Sequence, residues 1–399
     1  MSSRGGVSGP STTPAPHPAR ADAAEQGLVL STRASDVPFG IEEEFMFLSP
    51  DRLLPVPAAD AAHSVLLRDP EVGPYVGPEF LASQIEYSSP ILATREQAFE
   101  ALTGFRGRLG RVAESIGLVA AGTGLPFDSD DIPAPTPSPR YERIRADIRA
   151  VAHDHQMNAL HVHVNVPSRD AGVHALNGIR AWMPVLLALG SNSPFWHGRD
   201  TGFASWRALL ARRWATTGCA PHFRDAAEYD AHTARLVELG ASVDLACIAW
   251  DARLSERFPT LEVRAFDAQL DAESAITLAL LTRALVVTSL NAEPSAGAPV
   301  DVLDAELWLA ARDGLHGRLV NPVSGEPDAA TEVVLALVRY VRPALHALGD
   351  AEFVEAAIAQ RLRGGTGADR QRAALLEGGI GALAELLRRA PTPAERPTL

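Results

Sequence analysis

Three consecutive glutamates, Glu42, Glu43 and Glu44, lie inside an apolar segment near the start of the chain. Their neighbours Ile41 and Phe45 predict a strand that enters a hydrophobic core. Because alternate side chains of a strand point to one face, we expect Glu42 and Glu44 to project together. Adjacent carboxylates repel each other, and partial burial adds a desolvation cost. A bound Mg²⁺, or Mn²⁺ as the alternative, would relieve both the repulsion and the desolvation cost. The simpler interpretation is that these glutamates lie on a solvated strand edge.

Two further predicted strands carry charged residues on one face. On the first, Glu86 shares a face with Gln84, and a solvated glutamate is the plain alternative. On the second, Glu262 and Arg264 lie on one face, opposite Leu261 and other apolar residues. This pair is either a structural ion pair or a metal ligand beside an anion-binding group.

A histidine-rich strand is predicted at 159–167. Alternation places His161, His163 and Asn165 on one face and a continuous apolar row on the other. Two imidazoles at positions i and i+2 can converge on a metal ion, or they can donate hydrogen bonds without one. Both interpretations remain open at this point.

The segment 193–207 is polar and punctuated by glycine, yet it is rich in large aromatic residues. Such a composition is typical of a substrate-binding loop, with Trp196 as one contact. Arg207 lies at the start of the following predicted helix and is a candidate for binding a substrate carboxylate or phosphate.

The surrounding elements predict an α+β fold, because strands and helices do not alternate strictly and helices gather after residue 272. Strands are predicted at 37–48, 80–88, 118–122, 159–167, 242–250 and 260–267, and helices at 94–117, 139–156 and 173–190. Residues 1–36 are predicted to be a disordered N-terminal extension, 37–390 a single catalytic domain and 391–399 a flexible tail.

Composition narrows the chemistry further. The net charge of −13 argues against nucleic acid or a membrane surface as a partner. The chain contains no lysine, which excludes a Walker A lysine, a lysine Schiff base and a carbamylated-lysine metal bridge. Two cysteines are too few for a disulfide framework and fit a reducing cytoplasm, and no long apolar run predicts a membrane span.

Taken together and in this order, the segments resemble the carboxylate–amine ligases related to type 2 glutamate–cysteine ligase. The matching segments are GIEEEF, EYSSP, HVHVNV, NSPFWHGRDTGFASWR, the TTG…PHF turn and LEVRAFDAQ. The resemblance implies a curved, mainly antiparallel sheet that forms an active-site funnel with helices outside, related to glutamine synthetase and the guanidino kinases. It also implies ATP as cosubstrate and a reaction at the γ-carboxylate of glutamate with an amine.

The same resemblance implies roles for individual residues. Glu42, Glu44, Glu86 and Glu262 fall where that fold places its Mg²⁺ ligands, with His161 as a further ligand or polar neighbour. Glu42, Glu262 and Arg264 are the expected catalytic residues. The expected substrate-binding residues are Arg207, His163, Asn165 and Trp196. Small-molecule carboxylates and amines are the expected partners, and a homo-oligomer is an open option.

Three other functions are open. One is a metal-dependent hydrolase built on His161 and His163, which would not need ATP. Another is a phosphotransferase of the same fold that does not ligate. The third is a binding protein on a degenerate scaffold, against which the retention of four candidate carboxylates argues, because unpaired buried charges destabilise a fold.

Overall fold

A computed structural model describes residues 37–129, 132–293 and 297–389 of the chain. The predicted N-terminal extension, 1–36, and the predicted tail, 391–399, lie outside the described residues. The prediction of a single catalytic domain over 37–390 stays a prediction.

The strands of the described residues are short except for three that cross the sheet. They are β1 (Phe39–Leu48), β2 (Val76–Pro78), β3 (Gln84–Ser88), β4 (Val119–Ala121), β5 (Ala159–Asn165), β6 (Phe195–Trp196), β7 (Arg199–Asp200), β8 (Ala252–Leu254), β9 (Thr260–Asp267), β10 (Arg318–Val320) and β11 (Pro327–Ala329).

The helices before the last long strand are α1 (Ala59–Leu66), α2 (Arg95–Ser115), α3 (Pro139–Ile148), α4 (Arg169–Ile179), α5 (Met183–Leu189), α6 (Trp206–Ala211) and α7 (Ala226–Glu238). Those after it are α8 (Ala272–Leu290), α9 (Val300–Asp313), α10 (Ala330–Leu348), α11 (Ala351–Gly364) and α12 (Gly367–Arg389). The last is kinked at Gly378 and Gly379.

One antiparallel sheet organises the fold. Within the described residues it has seven strands, six of them in the order β2-β3-β1-β5-β9-β8, and β4 pairs with the far end of β1. The long strands β1, β5 and β9 lie at its centre. Their side chains therefore form two continuous faces, one apolar and one polar.

The apolar face is covered by helices. Ile41 and Phe45 of β1, Val162 of β5 and Val263 of β9 are fully buried in one core cluster. Helices α2, α4 and α8 contribute to the same cluster, so they pack against this side of the sheet. Burial of each large apolar side chain stabilises the fold by roughly 1.5–3 kcal/mol, which fixes the strand register and leaves the alternate residues on the other face.

Helix α8 is the central core helix. It is long and apolar enough to cross a membrane by length and composition, but 78% of its apolar window is buried inside the protein. Its N-terminus begins at Asp271, whose side chain accepts a hydrogen bond from the main-chain N–H of Ser274. Burial among other helices accounts for its apolar composition without a bilayer.

The predicted fold class is confirmed, and most of the predicted elements are present with shifted ends. Helix α2 begins at Thr94 with the capping box that Thr94 and Gln97 form. The strand predicted at 242–250 is wrong: that segment contains a turn and the 3₁₀ helix Leu245–Cys247, and the strand begins at Ala252. An apolar run of this length cannot distinguish a strand from packed loop structure.

Candidate functional site

The polar face of the sheet collects the charged side chains predicted from the sequence. Those on this face are Glu42, Glu44, Glu86, His161, His163, Glu262 and Arg264. The registers place them next to each other: Glu42 lies opposite His161, and Glu44 lies opposite Glu86. Directly opposed side chains of an antiparallel pair have Cβ atoms about 4.5–5.5 Å apart, so these groups interact.

A β-bulge in β9 changes which residues reach this face. The register of β5 against β9 shifts between Leu160 and Val162, where β9 contains one extra residue. Strict alternation from Glu262 would place Phe266 on the polar face. Because of the bulge, Phe266 enters the core and Asp267 turns to the polar side.

Asp267 then positions Arg207. The Nε of Arg207 donates to Asp267 Oδ1 at 2.7 Å, and its Nη2 donates to the carbonyl oxygens of 265 and 266 at 3.0 and 2.8 Å. The hydroxyls of Ser193 and Ser205 donate to the same carboxylate. Among the described residues no partner contacts the Nη1 of Arg207, so this nitrogen remains to bind a ligand.

Glu42 lies between the two histidines. One of its carboxylate oxygens is 3.2 Å from His161 Nδ1, and the other is 3.4 Å from His163 Nε2. Burial opposes the ionisation of Glu42, but these hydrogen bonds and the histidine charges outweigh it and lower its pKa well below the ordinary value. Burial lowers the pKa of His161 to about 4, and the nearby charge of Arg264 adds to this effect. Glu42 is therefore anionic and His161 a neutral imidazole.

His163 differs from His161 in its surroundings. Its Nδ1 lies 3.0 Å from Thr260 Oγ1, while its buried Nε2 makes no hydrogen bond of good geometry. Burial favours its neutral form, but the nearby carboxylates of Glu42 and Glu262 outweigh burial and raise its pKa. The Nε2 atom is a free ligand position beside two carboxylates.

Glu262 is bound by two arginines. Arg253 of β8 lies opposite it and donates from Nε to Glu262 Oε2 at 2.9 Å, and Arg264 donates to Oε1. Burial would raise the pKa of Glu262, but the two guanidinium groups lower it well below the ordinary value. Arg253 also donates to the Ile248 carbonyl at 2.9 Å, which anchors it to the protein. Glu262 is the least available of the predicted metal ligands, because both of its oxygens accept hydrogen bonds from arginine.

A second cluster of carboxylates combines Glu44, Glu79 and Glu86. One oxygen of each lies within 4.8 Å of the other two. Burial, together with the charge of Glu79, raises the pKa of Glu44 to about 8, although Glu44 accepts a hydrogen bond from the Ala159 N–H at 2.8 Å. Burial and the neighbouring carboxylates raise the pKa of Glu86 well above its ordinary value, and burial raises that of Glu79. Negative charge is crowded here without a compensating arginine in ion-pair contact among the described residues.

The sequence analysis did not identify Glu79, Asp267 or Asp251 as site residues. Glu79 stands in the short connection between β2 and β3 and lies in no alternating pattern. Its only signal is its position immediately before a predicted strand that carries Glu86. Asp251 was hidden behind the strand wrongly predicted at 242–250.

Two predicted substrate-binding residues lie outside the carboxylate clusters. Asn165 ends β5 opposite Thr260 and continues the face that carries His163. Trp196 is buried in a small apolar cluster with Leu125 and Leu210 and is not among the residues that line the cavity. This cluster packs against Met157, which does line the cavity.

A cavity of about 200 Å³ opens over the polar face. Its charged lining includes Glu44, Glu79, His161, Arg207, Asp251 and Arg264. Its lining also contains the apolar and aromatic residues Phe80, Tyr141, Ile144 and Trp214. A cavity that combines charged groups with apolar and aromatic side chains suits a small-molecule site.

The residues present fit two divalent cations. Glu42, His163 and Glu262 have ligand atoms within 4.8 Å of one another, as do the three carboxylates of the second cluster. Oxygen-rich ligand sets favour Mg²⁺ or Mn²⁺. The two histidines do not converge on a shared point, because only His163 belongs to either group within the described parts of the chain. This arrangement gives no support to a metallohydrolase site made by His161 and His163 together.

The sequence is similar to one known family over nearly its whole described length. The family model described as glutamate–cysteine ligase family 2 (GCS2) matches residues 38–386. A protein of Frankia alni with the provisional name glutamate–cysteine ligase 2-2 is 38% identical over 352 residues, which cover 84% of this chain and 91% of the relative. A protein of Rhodopirellula baltica with the provisional name glutamate–cysteine ligase 2 is 36% identical over 344 residues, or 84% of this chain and 92% of the relative.

Solved structures share the fold. The glutamate–cysteine ligase of Francisella tularensis, determined in complex with AMP, superposes with a TM-score of 0.68 at 13% identity, covering 89% of this chain and 88% of that one. A bifunctional glutathione synthetase of Pasteurella multocida gives a TM-score of 0.66 at 14% identity over 89% of this chain and 52% of that one. From the sequence match and its extent, this chain belongs to glutamate–cysteine ligase family 2, which confirms the predicted family and the predicted class of enzyme, a ligase.

Proposed function

We propose that this ligase uses ATP to activate the γ-carboxylate of glutamate as an acyl phosphate and joins it to an amine, cysteine or another amino acid. The observation that carries the proposal is the polar sheet face. There Glu44 and Glu79 of one group of potential metal ligands line the cavity beside His161 and Arg264, which contact Glu42 and Glu262 of the other group. Amide formation from a carboxylate needs an activated acyl group. A site of arginines and of carboxylates that can bind cations suits phosphoryl transfer.

Each cluster has a role in this proposal. Glu44, Glu79 and Glu86 would hold one cation, and Glu42 with His163 and Glu262 would hold another. Bound Mg²⁺ would neutralise the clustered phosphates of ATP and polarise the transferred phosphoryl group. His161 stays neutral and hydrogen-bonds Glu42, so it acts as a polar neighbour that orients that carboxylate.

The arginines would bind the anionic parts of the substrates. Arg264 contacts Glu262 and lines the cavity, so its guanidinium can stabilise charge on the transferred phosphoryl group. Arg207 is fixed by Asp267 and offers Nη1 to a substrate carboxylate. With no lysine in the chain, arginine and metal ions must supply all the fixed positive charge in the site.

The reaction balances in two steps. A γ-carboxylate oxygen attacks the γ-phosphorus of ATP, the bond to the β–γ bridging oxygen breaks, and ADP leaves. The amine nitrogen then attacks the acyl carbon, phosphate leaves with its electron pair, and the nitrogen loses one proton. The AMP bound to the Francisella ligase supports a nucleotide site in this fold.

The setting of the enzyme is part of the proposal. Small-molecule substrates, a cytoplasmic location and no role for nucleic acid or membrane agree with the net charge of −13 and the buried position of the apolar helix α8. A homo-oligomer remains an open option.

The direct test is a product assay with Mg·ATP, L-glutamate and a panel of amines that includes cysteine. We expect ADP and phosphate in equal amounts, both dependent on the amine, with a matching amide by mass spectrometry. ADP without equal phosphate would favour a phosphotransferase. Tight binding of Zn²⁺ or Fe²⁺ without any use of nucleotide would favour a hydrolase, and the absence of both activities a binding protein.

A further inference from the structure

Within the described parts of the chain, one carboxylate that lines the cavity has no hydrogen-bond or ion-pair partner and belongs to neither group of potential metal ligands. Asp251 immediately precedes β8, and the Arg264 N–H donates to its carbonyl at 2.7 Å. Arg253, two residues later, lies opposite Glu262 on the polar face. Because alternate residues of a strand share a face, Asp251 lies on the polar side of the sheet as well.

The side chain of Asp251 is unused by the protein. Among the described residues no hydrogen bond or ion pair within 4 Å reaches its carboxylate, although its main-chain N–H is bonded to the Gly218 carbonyl at 2.9 Å. The residue lines the main cavity and a smaller hollow beside it, and Arg207 lines both. Burial raises the pKa of Asp251 to about 6, and Arg207 and Arg212 oppose this rise. A desolvated carboxylate without a partner is costly to the free protein unless a ligand completes it.

The hollow beside Asp251 is lined by this carboxylate and by the guanidinium groups of Arg207 and Arg212, and among the described residues neither arginine forms an ion pair with Asp251. Arg207 donates hydrogen bonds from Nε to Asp267 and from Nη2 to the main chain, and its Nη1 is left to bind a ligand. Arg212 donates to the Asp304 carbonyl at 2.8 Å. An unpaired acid and an arginine with a free nitrogen, lining the same hollow, are complementary to a zwitterion, because carboxylate and ammonium groups carry the opposite pair of charges.

We infer that Asp251 binds the α-ammonium group of an amino-acid substrate whose α-carboxylate is held by Arg207. This inference rests on the proposed function and makes it more specific, because it assigns the residue that recognises the ammonium group of the substrate. Asp251 is then the specificity-determining residue, since rejecting an analogue without the ammonium group requires a buried partner that would be left unpaired.

The test compares L-glutamate with glutarate, which is the same dicarboxylate without the ammonium group. Calorimetric binding of each is measured on the full chain with Mg·ADP, for the wild type, for Asp251→Asn and for Asp301→Asn. The last variant removes one exposed acid on α9 and serves as the charge control. A charge-assisted hydrogen bond is lost with the ammonium group, so the wild type and Asp301→Asn should bind L-glutamate about 10- to 100-fold more tightly than glutarate. In Asp251→Asn this ratio should fall to near one.

The outcomes separate this inference from the proposed function. Equal binding of the two ligands by the wild type overturns the inference, whether or not the protein forms an amide. A full preference for L-glutamate in Asp251→Asn also overturns it, while amide formation would leave the ligase proposal intact. If Asp251→Asn does not fold, Asp251→Ser is measured in its place, and the same fall in the ratio to near one is expected. If the protein shows the predicted binding preference but forms no amide, the proposed ligation is contradicted and the inference about Asp251 is supported.

Discussion

Glu44 of β1 and Glu86 of β3 lie directly opposite each other, and neither is paired with an arginine among the described residues. Glu79 brings a third carboxylate within 4.8 Å. Like charges at opposed positions destabilise a sheet, and burial makes the repulsion stronger. The protein therefore carries a local cost in this region that a bound cation would remove.

Replacing one member of this cluster should have opposite effects on stability and catalysis. In Glu86→Gln, the metal-free protein should be more stable than the wild type by about 1 kcal/mol, because a neutral amide replaces a carboxyl group whose ionisation burial and the neighbouring carboxylates oppose. The rise in Tm on adding Mg²⁺ should shrink, and the rate of amide formation should fall about 100-fold or more, since metal stabilisation of the transition state is worth several kcal/mol. Thermal unfolding with and without Mg²⁺, together with steady-state kinetics, checks this. Glu100→Gln, an exposed glutamate on α2, is the control. A Mg²⁺ effect equal to that of the wild type would show that this cluster does not hold the ion.

Substitutions of the two arginines that bind Glu262 should distinguish an effect on stability from an effect on catalysis. Arg253 is anchored to Glu262 and to main-chain carbonyls, so Arg253→Met should lower the free energy of unfolding by about 3–5 kcal/mol, as expected when one partner of a buried pair is removed. Among the described residues the Arg264 side chain donates only to Glu262, whereas Arg253 also binds main-chain carbonyls. In Arg264→Met the fold should therefore persist while kcat falls about 100-fold or more. Chemical denaturation and kcat are measured for both variants. Near-normal turnover in Arg264→Met would contradict its assignment to the transferred phosphoryl group.

Glu43 offers a structural control inside the glutamate motif. It points to the apolar side of β1, is almost fully buried, and accepts two hydrogen bonds from Arg106 of α2. Glu43→Gln should destabilise the protein by about 3–5 kcal/mol because the buried guanidinium of Arg106 loses its bond to the Glu43 carboxylate. At a temperature where the variant is folded, the KM for ATP should be unchanged. A large increase in this KM with little change in Tm would place Glu43 in the site instead.

Stability at low pH should depend on the N-cap of α8. Burial would raise the pKa of Asp271, the N-cap residue. The Arg370 guanidinium and the Ser274 hydrogen bonds outweigh burial and lower this pKa from 3.8 to about 2. A depressed pKa stabilises the fold above the unfolded value, and this contribution is lost as the pH falls from about 4 towards 2. Because the ion pair is partly exposed, its share is only about 0.5–1 kcal/mol. The free energy of unfolding of the wild type should exceed that of Asp271→Asn by this amount at neutral pH. Near pH 2 this difference should have largely disappeared. A difference that stays constant across this pH range would contradict the charge argument. Asp271→Ala also loses the helix cap, so its free energy of unfolding should be about 1 kcal/mol lower than that of Asp271→Asn.

Strand alternation was sufficient to predict much of the site. It placed Glu42 with Glu44 and His161 with His163 on common faces, because side-chain direction within a strand is a local property. The fold class followed from the order of the elements and from the family resemblance. These predictions needed no knowledge of which strands are neighbours.

The remaining features depend on contacts between distant segments. Asp267 reaches the polar face only because of the bulge opposite β5, and no local pattern marks such an insertion. Glu79 joins its cluster from a short connection, and the binding of Glu262 by Arg253 requires the β8–β9 register. Glu43 was read as part of one acidic motif, whereas its burial against Arg106 depends on the packing of α2.

The most direct test of the central claim follows oxygen from substrate to product. L-glutamate labelled with ¹⁸O in the γ-carboxylate is incubated with Mg·ATP and the best amine, and the released phosphate is analysed by mass spectrometry. An acyl phosphate requires that one γ-carboxylate oxygen leave with the phosphorus, so each phosphate released should carry one ¹⁸O atom. Amide formation with unlabelled phosphate would contradict the proposed activation of the carboxylate.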